Sequence, residues 1–214
     1  MNYTQTLREF IVNNNGRIFD AMYEQNKRFS FIPYKTLLKI LNRLEKEKIL
    51  IKVSKGVYLM GKDQSKLDDS IIDYYVNGFN GMIIGRQMYN YYDIGTNDND
   101  NIEIYTRKVI TNNKVIGNYK LMKFDVRFYD EVEDVIRTLE LIENRRKIED
   151  FNLVRYTEEI EGGLTRYTDL IFKEIVSNHH YKYSTIATLD VLLDKMNIKN
   201  NAIQIYQENY KSAL

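Results

Sequence analysis

A chain of 214 residues, 43% of them hydrophobic, can bury one large core or two small ones, and its composition is not that of a disordered protein. It contains no cysteine, which excludes disulfides, thiolate nucleophiles and cysteine-based zinc sites and fits the reducing cytoplasm, where we expect it. The N-terminal residues lack the pattern of a secretory signal, and no window approaches 18 uninterrupted apolar residues, so we expect no membrane span.

Positive charge is concentrated at the start of the chain. Residues 1–62 contain 12 Lys and Arg against 5 Asp and Glu, a net charge of +7. The other 152 residues contain 19 and 25, a net charge of −6. Such a split is typical of a module that binds a polyanion joined to a part that does not.

The first third of the chain predicts short local elements. A helix is expected from Thr4 to about Asn14, where Gly16 follows as a C-terminal stop. A short strand at 17–19 and a second helix at 20–26 come next. Residues 27–32 then form the turn before a third helix.

The third helix begins near Pro33, which fits the first helical position because the N–H that proline lacks would be unbonded there. Apolar residues recur along it with the period of one buried helical face: Leu37, Leu38, Ile40, Leu41 and Leu44. The opposite face is polar and strongly basic: Lys35, Lys39, Asn42, Arg43 and Lys46.

Two short strands, Ile49–Val53 and Val57–Met60, follow the basic helix. Ser54-Lys55-Gly56 between them predicts a three-residue loop in which glycine supplies the left-handed backbone. A basic helix followed at once by a hairpin with lysine at its tip is the layout of a winged helix-turn-helix. In that fold the helix enters the major groove and the hairpin touches the flanking backbone. The alternative is an amphipathic helix and a hairpin whose lysines are only solvated.

The winged-helix interpretation predicts a set of residues that bind double-stranded DNA. The helix is expected to read base edges and the wing to contact mainly phosphates. The predicted DNA-binding residues are Lys35, Thr36, Lys39, Asn42, Arg43, Lys52, Ser54 and Lys55.

A polar connection at 61–65 predicts a domain boundary. Residues 1–62 would be the winged helix-turn-helix DNA-binding domain and residues 66–214 a larger mixed α+β domain with several C-terminal helices, so the fold class is α+β. In the second domain we expect strands at 102–108, 115–116 and 119–129. Helices are expected at 67–77, from Glu131 onward with a buried stripe from Val132 to Ile142, and at 164–177, 185–196 and 201–210.

No motif for catalysis is found, and we expect no catalytic residue, no metal site and no cofactor. Asp98-Asn99-Asp100 fits a polar loop better than a paired-carboxylate metal site, and Glu158, Glu159 and Glu161 before Gly162-Gly163 fit a solvated acidic turn. Adjacent His179 and His180 would point in different directions on a helix, so they make a poor metal pair. Arg145-Arg146-Lys147 is interpreted as charge placement at a helix C-terminus. The chain is therefore not expected to be an enzyme.

Two stretches together resemble the AbiE-type antitoxin family of bacterial abortive-infection systems. The first comprises Leu38–Leu44, Lys48-Ile49 and Lys55-Gly56-Val57-Tyr58, which are similar to that family's N-terminal winged helix. The second is Gly78-Phe79-Asn80-Gly81 leading to Gly85-Arg86-Gln87-Met88-Tyr89, which resembles the start of its second domain. The resemblance covers residues 1–130. Met82-Ile83-Ile84 departs from the family, which usually has small residues there.

The resemblance implies a DNA-binding antitoxin of a type IV toxin–antitoxin system. It implies that the winged helix represses its own operon by binding promoter repeats, and that the second domain counteracts a co-encoded nucleotidyltransferase toxin without a stable complex. The alternative function is a winged-helix transcriptional regulator whose C-terminal domain senses a ligand or dimerises. An interaction module without DNA binding is disfavoured, because it has little need for +7 in 62 residues.

Overall fold

The computed structural model describes residues 2–96 and 100–212, the last four of them by their backbone alone. The α+β class is confirmed, with helices at both ends of the described chain. Two compact units divide the chain: Met1–Gly81 with Thr106–Lys123, and Met82–Tyr105 with Phe124–Leu214. The connection at 61–65 lies inside the first unit, and the division into domains 1–62 and 66–214 stays a prediction. No helix in the described residues is long and apolar enough to cross a membrane.

The elements are numbered in chain order. The helices are α1 (Tyr3–Asn13), α2 (Ala21–Lys27), α3 (Tyr34–Lys46), α4 (Leu67–Tyr75), α5 (Gly85–Tyr91), α6 (Asp130–Asn144), α7 (Leu153–Thr165), α8 (Asp169–Asn178), α9 (Tyr183–Lys195) and α10 (Asn201–Ser212). The strands are β1 (Ile18–Asp20), β2 (Leu50–Ser54), β3 (Val57–Met60), β4 (Gly81–Ile84), β5 (Ile102–Thr106), β6 (Lys114–Ile116) and β7 (Tyr119–Lys123). Short 3-10 helices lie at Gln64–Lys66 and Arg145–Lys147.

The predicted order of helix, strand, helix, helix and hairpin is confirmed at the start of the first unit. β3 pairs antiparallel with both β1 and β2, which gives a three-stranded sheet in the order β1-β3-β2. All four residues of β3 are buried, as expected for the central strand of a sheet that is covered by helices.

α3 packs its apolar face into the core of this unit. Leu37, Leu41 and Leu44 have no exposed surface, and Ile40 is also buried. Leu38 is only partly buried at the edge of the same core. Pro33 is the residue just before the helix rather than its first residue, and its carbonyl accepts the N–H of Leu37 at 3.0 Å.

The predicted three-residue loop between β2 and β3 is one residue too long. Ser54 pairs with Val57, so only Lys55 and Gly56 lie between the strands. The register shifts between Lys52 and Ser54, and this irregularity lets the pairing extend to the turn. Gly56 has a φ of +76°, so the expected left-handed backbone is confirmed at this residue.

Asp20 connects three parts of the first unit. One carboxylate oxygen accepts the backbone N–H groups of Met22 at 3.2 Å and Tyr23 at 3.4 Å, which caps α2. The other accepts the hydroxyl of Tyr75 at 2.9 Å and a hydrogen bond from the ammonium of Lys114. Asp20 is 1% exposed, so α4 and β6 are fixed to α2 through a buried charge.

The predicted strand at 119–129 is wrong in its second half. β7 ends at Lys123, and the extended segment that follows belongs to no strand. Phe124, Val126 and Phe128 are nevertheless buried, each at most 1% exposed. The alternation of apolar and polar residues therefore predicts correctly that one side of this extended segment is buried. It does not predict whether the segment is hydrogen-bonded to a neighbouring strand.

The predicted stripe of α6 is confirmed over most of its length in the second unit. Val132, Val135, Ile136 and Leu139 are buried. Ile142 is only half-buried. Arg145, in the 3-10 helix after α6, lies with its guanidinium carbon 3.1 Å from the ring centroid of Phe151.

The predicted helix at 164–177 is confirmed from Asp169 onward, but its start is wrong, and so is the acidic turn predicted before it. The structure has two helices there, α7 and α8, with caps from Asn152 and Thr168. Gly162 and Gly163 lie inside α7 rather than in a turn. A Cβ on Gly163 would meet the hydroxyl oxygen of Thr138 and come within 2.6 Å of the carbonyl oxygen of Asp134, both on α6. Glycine is present because the two helices approach closely, not because the chain turns.

Glu140 is a buried carboxyl group in the second unit, 4% exposed. Burial raises its pKa to about 7, opposed by the hydrogen bond that the Tyr105 hydroxyl donates to it at 2.8 Å. The side-chain amide of Asn144 donates to its other oxygen at 3.1 Å. The folded chain therefore holds a proton on Glu140 at pH values where an exposed glutamate has lost it.

We expect Gly163→Ala to destabilise the fold by about 1–3 kcal/mol, because the added methyl group overpacks the contact between α6 and α7. Gly162→Ala is the matched control, since nothing lies within 4 Å of its added Cβ. That variant should be neutral or up to about 1 kcal/mol more stable, because alanine favours the helix. Urea unfolding followed by circular dichroism measures both. Equal effects of the two substitutions would contradict the close approach at Gly163.

We expect the free energy of unfolding to fall as the pH rises from about 4.5 to about 7, because the unfolded chain releases the Glu140 proton in this range while the folded chain keeps it. Glu140→Gln should remove up to about 3 kcal/mol of that fall. The exposed Glu131→Gln is the control and should keep the wild-type slope. Urea unfolding at a series of pH values measures the slope, and an unchanged slope in Glu140→Gln would contradict the assignment.

Candidate nucleic-acid interface

The polar face of α3 lies opposite its buried leucines. Lys35, Lys39, Asn42 and Arg43 are exposed, and Thr36 is half-buried. The helical repeat places these residues on neighbouring positions of one surface. The structure therefore brings together all five residues that the sequence predicts on this helix.

Three lysines on this face carry uncompensated charge. Lys35, Lys39 and Lys46 are exposed and form no hydrogen bond or ion pair with any residue that the structure describes. They follow one another at offsets of four and seven, so they lie along a single line on the helix. A row of unpaired ammonium groups is suited to a polyanion such as a phosphate backbone.

Arg43 is partly engaged within the protein. Its guanidinium donates to the hydroxyl oxygen of Thr4 at 2.5 Å and lies 4.0 Å from the carboxylate of Glu47, which also pairs with Arg8. Arg43 is still more than half exposed, at 54% of its side chain. These contacts hold the side chain toward the start of α1, so Arg43 is less free to move than the lysines beside it.

The side chain of Asn42 is hydrogen-bonded to the β2–β3 hairpin. The hydroxyl of Tyr58 in β3 donates to the side-chain oxygen of Asn42 at 3.0 Å. Burial raises the pKa of Tyr58, and Glu45 adds to this, so the phenol keeps the proton that it donates. The bond fixes the carboxamide of Asn42 at the surface, as recognition of a base edge requires.

The β2–β3 hairpin, the predicted wing, presents two of its three predicted residues. Lys52 and Lys55 are exposed and form no hydrogen bond or ion pair with the residues that the structure describes. Ser54 is half-buried, and its hydroxyl donates to the backbone carbonyl of Val115 in β6 at 3.2 Å. The serine therefore connects the β2–β3 hairpin to a second hairpin, β6–β7, which the sequence does not predict at this position.

The charge difference is larger between the structural units than between the predicted domains. The first unit contains 18 Lys and Arg against 9 Asp and Glu, a net charge of +9, and the second carries −8. Residues 106–123 contribute five Lys and Arg and no Asp or Glu to the first unit. This run of basic residues is visible in the sequence and was the signal that could have indicated the second hairpin.

The other candidate residues have structural partners. Glu158 and Glu159 lie on α7, not in a turn, and pair with Arg155 and Arg137 at 3.0 Å each. His179 stacks on Phe124, and burial lowers its pKa. Within the described residues no group of three or more His, Cys, Asp or Glu could hold a metal ion. Asp98 and Asn99, interpreted from sequence as part of a polar loop, lie outside the described residues.

The comparison with known proteins does not assign the chain to a family. No protein-family model matches the chain, and no curated protein matches it.

Proposed function

We propose that this protein is a DNA-binding transcriptional regulator whose first 62 residues act as a winged helix-turn-helix. The proposal depends chiefly on the row of unpaired lysines on α3, directly opposite the leucines that fix the helix in its core. In this arrangement α3 enters the major groove, Asn42 and Arg43 contact base edges, and Lys35 and Lys39 contact phosphates.

The hairpin supports the same assignment. Lys52 and Lys55 follow α3 directly in the chain and are exposed on β2 and at its turn. A wing of this kind contacts the DNA backbone beside the major groove that the helix occupies. The net charge of +9 on the unit that contains both elements favours a polyanionic partner.

We further propose that the regulator is an antitoxin that represses its own operon in the cytoplasm and counteracts a nucleotidyltransferase toxin. This part depends on the resemblance of residues 38–58 and 78–89 to the AbiE-type family. The role is one of binding rather than catalysis. The alternative, a regulator whose remaining residues sense a ligand or dimerise, shares the DNA-binding face and differs in giving no protection from a toxin.

The double variant Lys35→Ala/Lys39→Ala should bind DNA at least tenfold more weakly at low salt, and the slope of log K against log salt should fall by about 0.9 for each phosphate that is no longer neutralised. Fluorescence anisotropy with a duplex from the region upstream of its own gene measures both. The control Lys62→Ala/Lys66→Ala removes the same charge from exposed residues outside α3 and the β2–β3 hairpin and should bind like the wild type. Wild-type binding by the double variant would remove α3 from the mechanism.

Asn42→Ala and Arg43→Ala should each weaken binding to the upstream duplex by about 1–3 kcal/mol, with little change on scrambled DNA, because each removes a contact to a base edge. Lys55→Ala should instead weaken binding to both duplexes alike. Circular dichroism must first establish that Arg43→Ala stays folded, since Arg43 also bonds to Thr4. Equal losses on both duplexes for Asn42→Ala would contradict base recognition by that residue.

Induction of the neighbouring gene should kill cells that lack this protein, and the full chain should restore colony formation. The full-length Lys35→Ala/Lys39→Ala variant should still protect while failing to repress its promoter. A fragment starting at residue 66 is unsuitable, because it would remove Asp20 from its partners Tyr75 and Lys114. Failure of the wild-type chain to protect would contradict the antitoxin role and leave DNA binding to be judged by the titrations.

A further inference from the structure

The hairpin formed by β6 and β7 is fixed beside the wing within the first unit. The hydroxyl of Ser54, next to the wing tip, donates to the carbonyl of Val115 in the middle of β6. At one end of β6 the ammonium of Lys114 pairs with the buried carboxylate of Asp20. On β7 the hydroxyl of Tyr119 donates to Asp68 at 2.8 Å. These three contacts anchor the hairpin to different elements of the first unit, so they fix its position next to the wing.

The two faces of this hairpin differ in burial. Ile116, Tyr119 and Leu121 are buried. Val115 and Lys120 form a cross-strand pair and are both exposed, Val115 at 59%. The side chains of such a pair stand on the same face of the hairpin. The exposed face therefore presents Lys120 at its centre.

Lys120 lies close to the tip of the wing. Val115 bonds directly to Ser54, and Lys120 is one cross-strand step of about 5 Å beyond Val115. Lys55 is the residue after Ser54. The exposed lysines of the two hairpins thus belong to one neighbourhood, although 65 positions separate Lys55 from Lys120 in the sequence.

We propose that the β6–β7 hairpin is a second wing, on which Lys120 contacts a DNA phosphate adjacent to the one held by Lys55. This inference rests on the proposed DNA binding and extends it to a hairpin that begins 54 residues beyond Met60, the end of the first wing. The segment 106–123 contains five Lys and Arg and no Asp or Glu, and four of these positive residues remain besides Lys114, which pairs with Asp20. A second wing lengthens the stretch of DNA phosphate backbone that one protein molecule contacts.

The test compares three full-length variants on a short random-sequence DNA duplex. Lys120→Ala removes the proposed contact, Lys120→Arg keeps its charge, and Lys123→Ala makes the same charge change on the same strand. Lys123 alternates to the other face of β7 from Lys120, so it is a matched control. Fluorescence anisotropy over a series of salt concentrations gives the affinity and the salt slope of each variant.

Lys120→Ala should bind severalfold more weakly at low salt and reduce the salt slope by about 0.9, whereas Lys120→Arg and Lys123→Ala should keep the wild-type slope. Equal effects of Lys120→Ala and Lys123→Ala would overturn the second wing, because net charge alone would then explain them. If the proposed DNA binding itself is wrong, the wild type shows no salt-dependent binding, and this result is distinct from a failure of the second wing alone. If the wild type binds, and only the α3 lysines matter, the second wing is wrong and the proposed function stands.

Discussion

The arrangement of the first unit depends on the hydrogen bonds and the ion pair that the buried carboxylate of Asp20 forms. A charge removed from water is tolerated only when it is paired and hydrogen-bonded, and Asp20 has two backbone N–H groups, a tyrosine hydroxyl and a lysine ammonium. Loss of one partner from a buried pair costs about 3–5 kcal/mol. This cost fixes Lys114, and with it the second hairpin, at the start of α2.

The consequence for the candidate interface is that two hairpins are held in a defined relation. Asp20 begins α2, which packs on α3, so the anchor of β6 and the basic helix share one core. Ser54 adds a direct bond between the hairpins. A surface that binds a regular polyanion benefits from such rigidity, because charges already in place lose less entropy on binding. The exposed lysines of α3 and of the β2–β3 hairpin are then presented on a framework rather than on a loose loop.

The sequence predicted those features that depend on neighbours within one element. The leucines of α3 and the buried stripe of α6 follow from helical periodicity alone, and the left-handed Gly56 follows from its place between two strands. Gly163 shows the limit of this reasoning. Its neighbour Gly162 and the preceding glutamates favour a turn by composition, but the contact with Thr138 that decides the structure lies on another helix.

The candidate site divides in the same way. Exposure of the α3 lysines could be predicted, because it is the complement of the leucine face. The partners of Asn42, Arg43 and Ser54 could not, because they come from β3, α1 and β6. The pair formed by Asp20 and Lys114 spans 94 positions, and no local pattern relates the two. For this reason the sequence alone places the second hairpin in the predicted domain 66–214.

Hydrogen–deuterium exchange of the full chain, with and without duplex DNA from upstream of its gene, tests the central claim most directly. The account predicts that DNA slows exchange in residues 34–46 and around the turn at residues 55–56, with the helices of the second unit unchanged. Protection confined to residues 130–212, or no protection anywhere at saturating DNA, would contradict it.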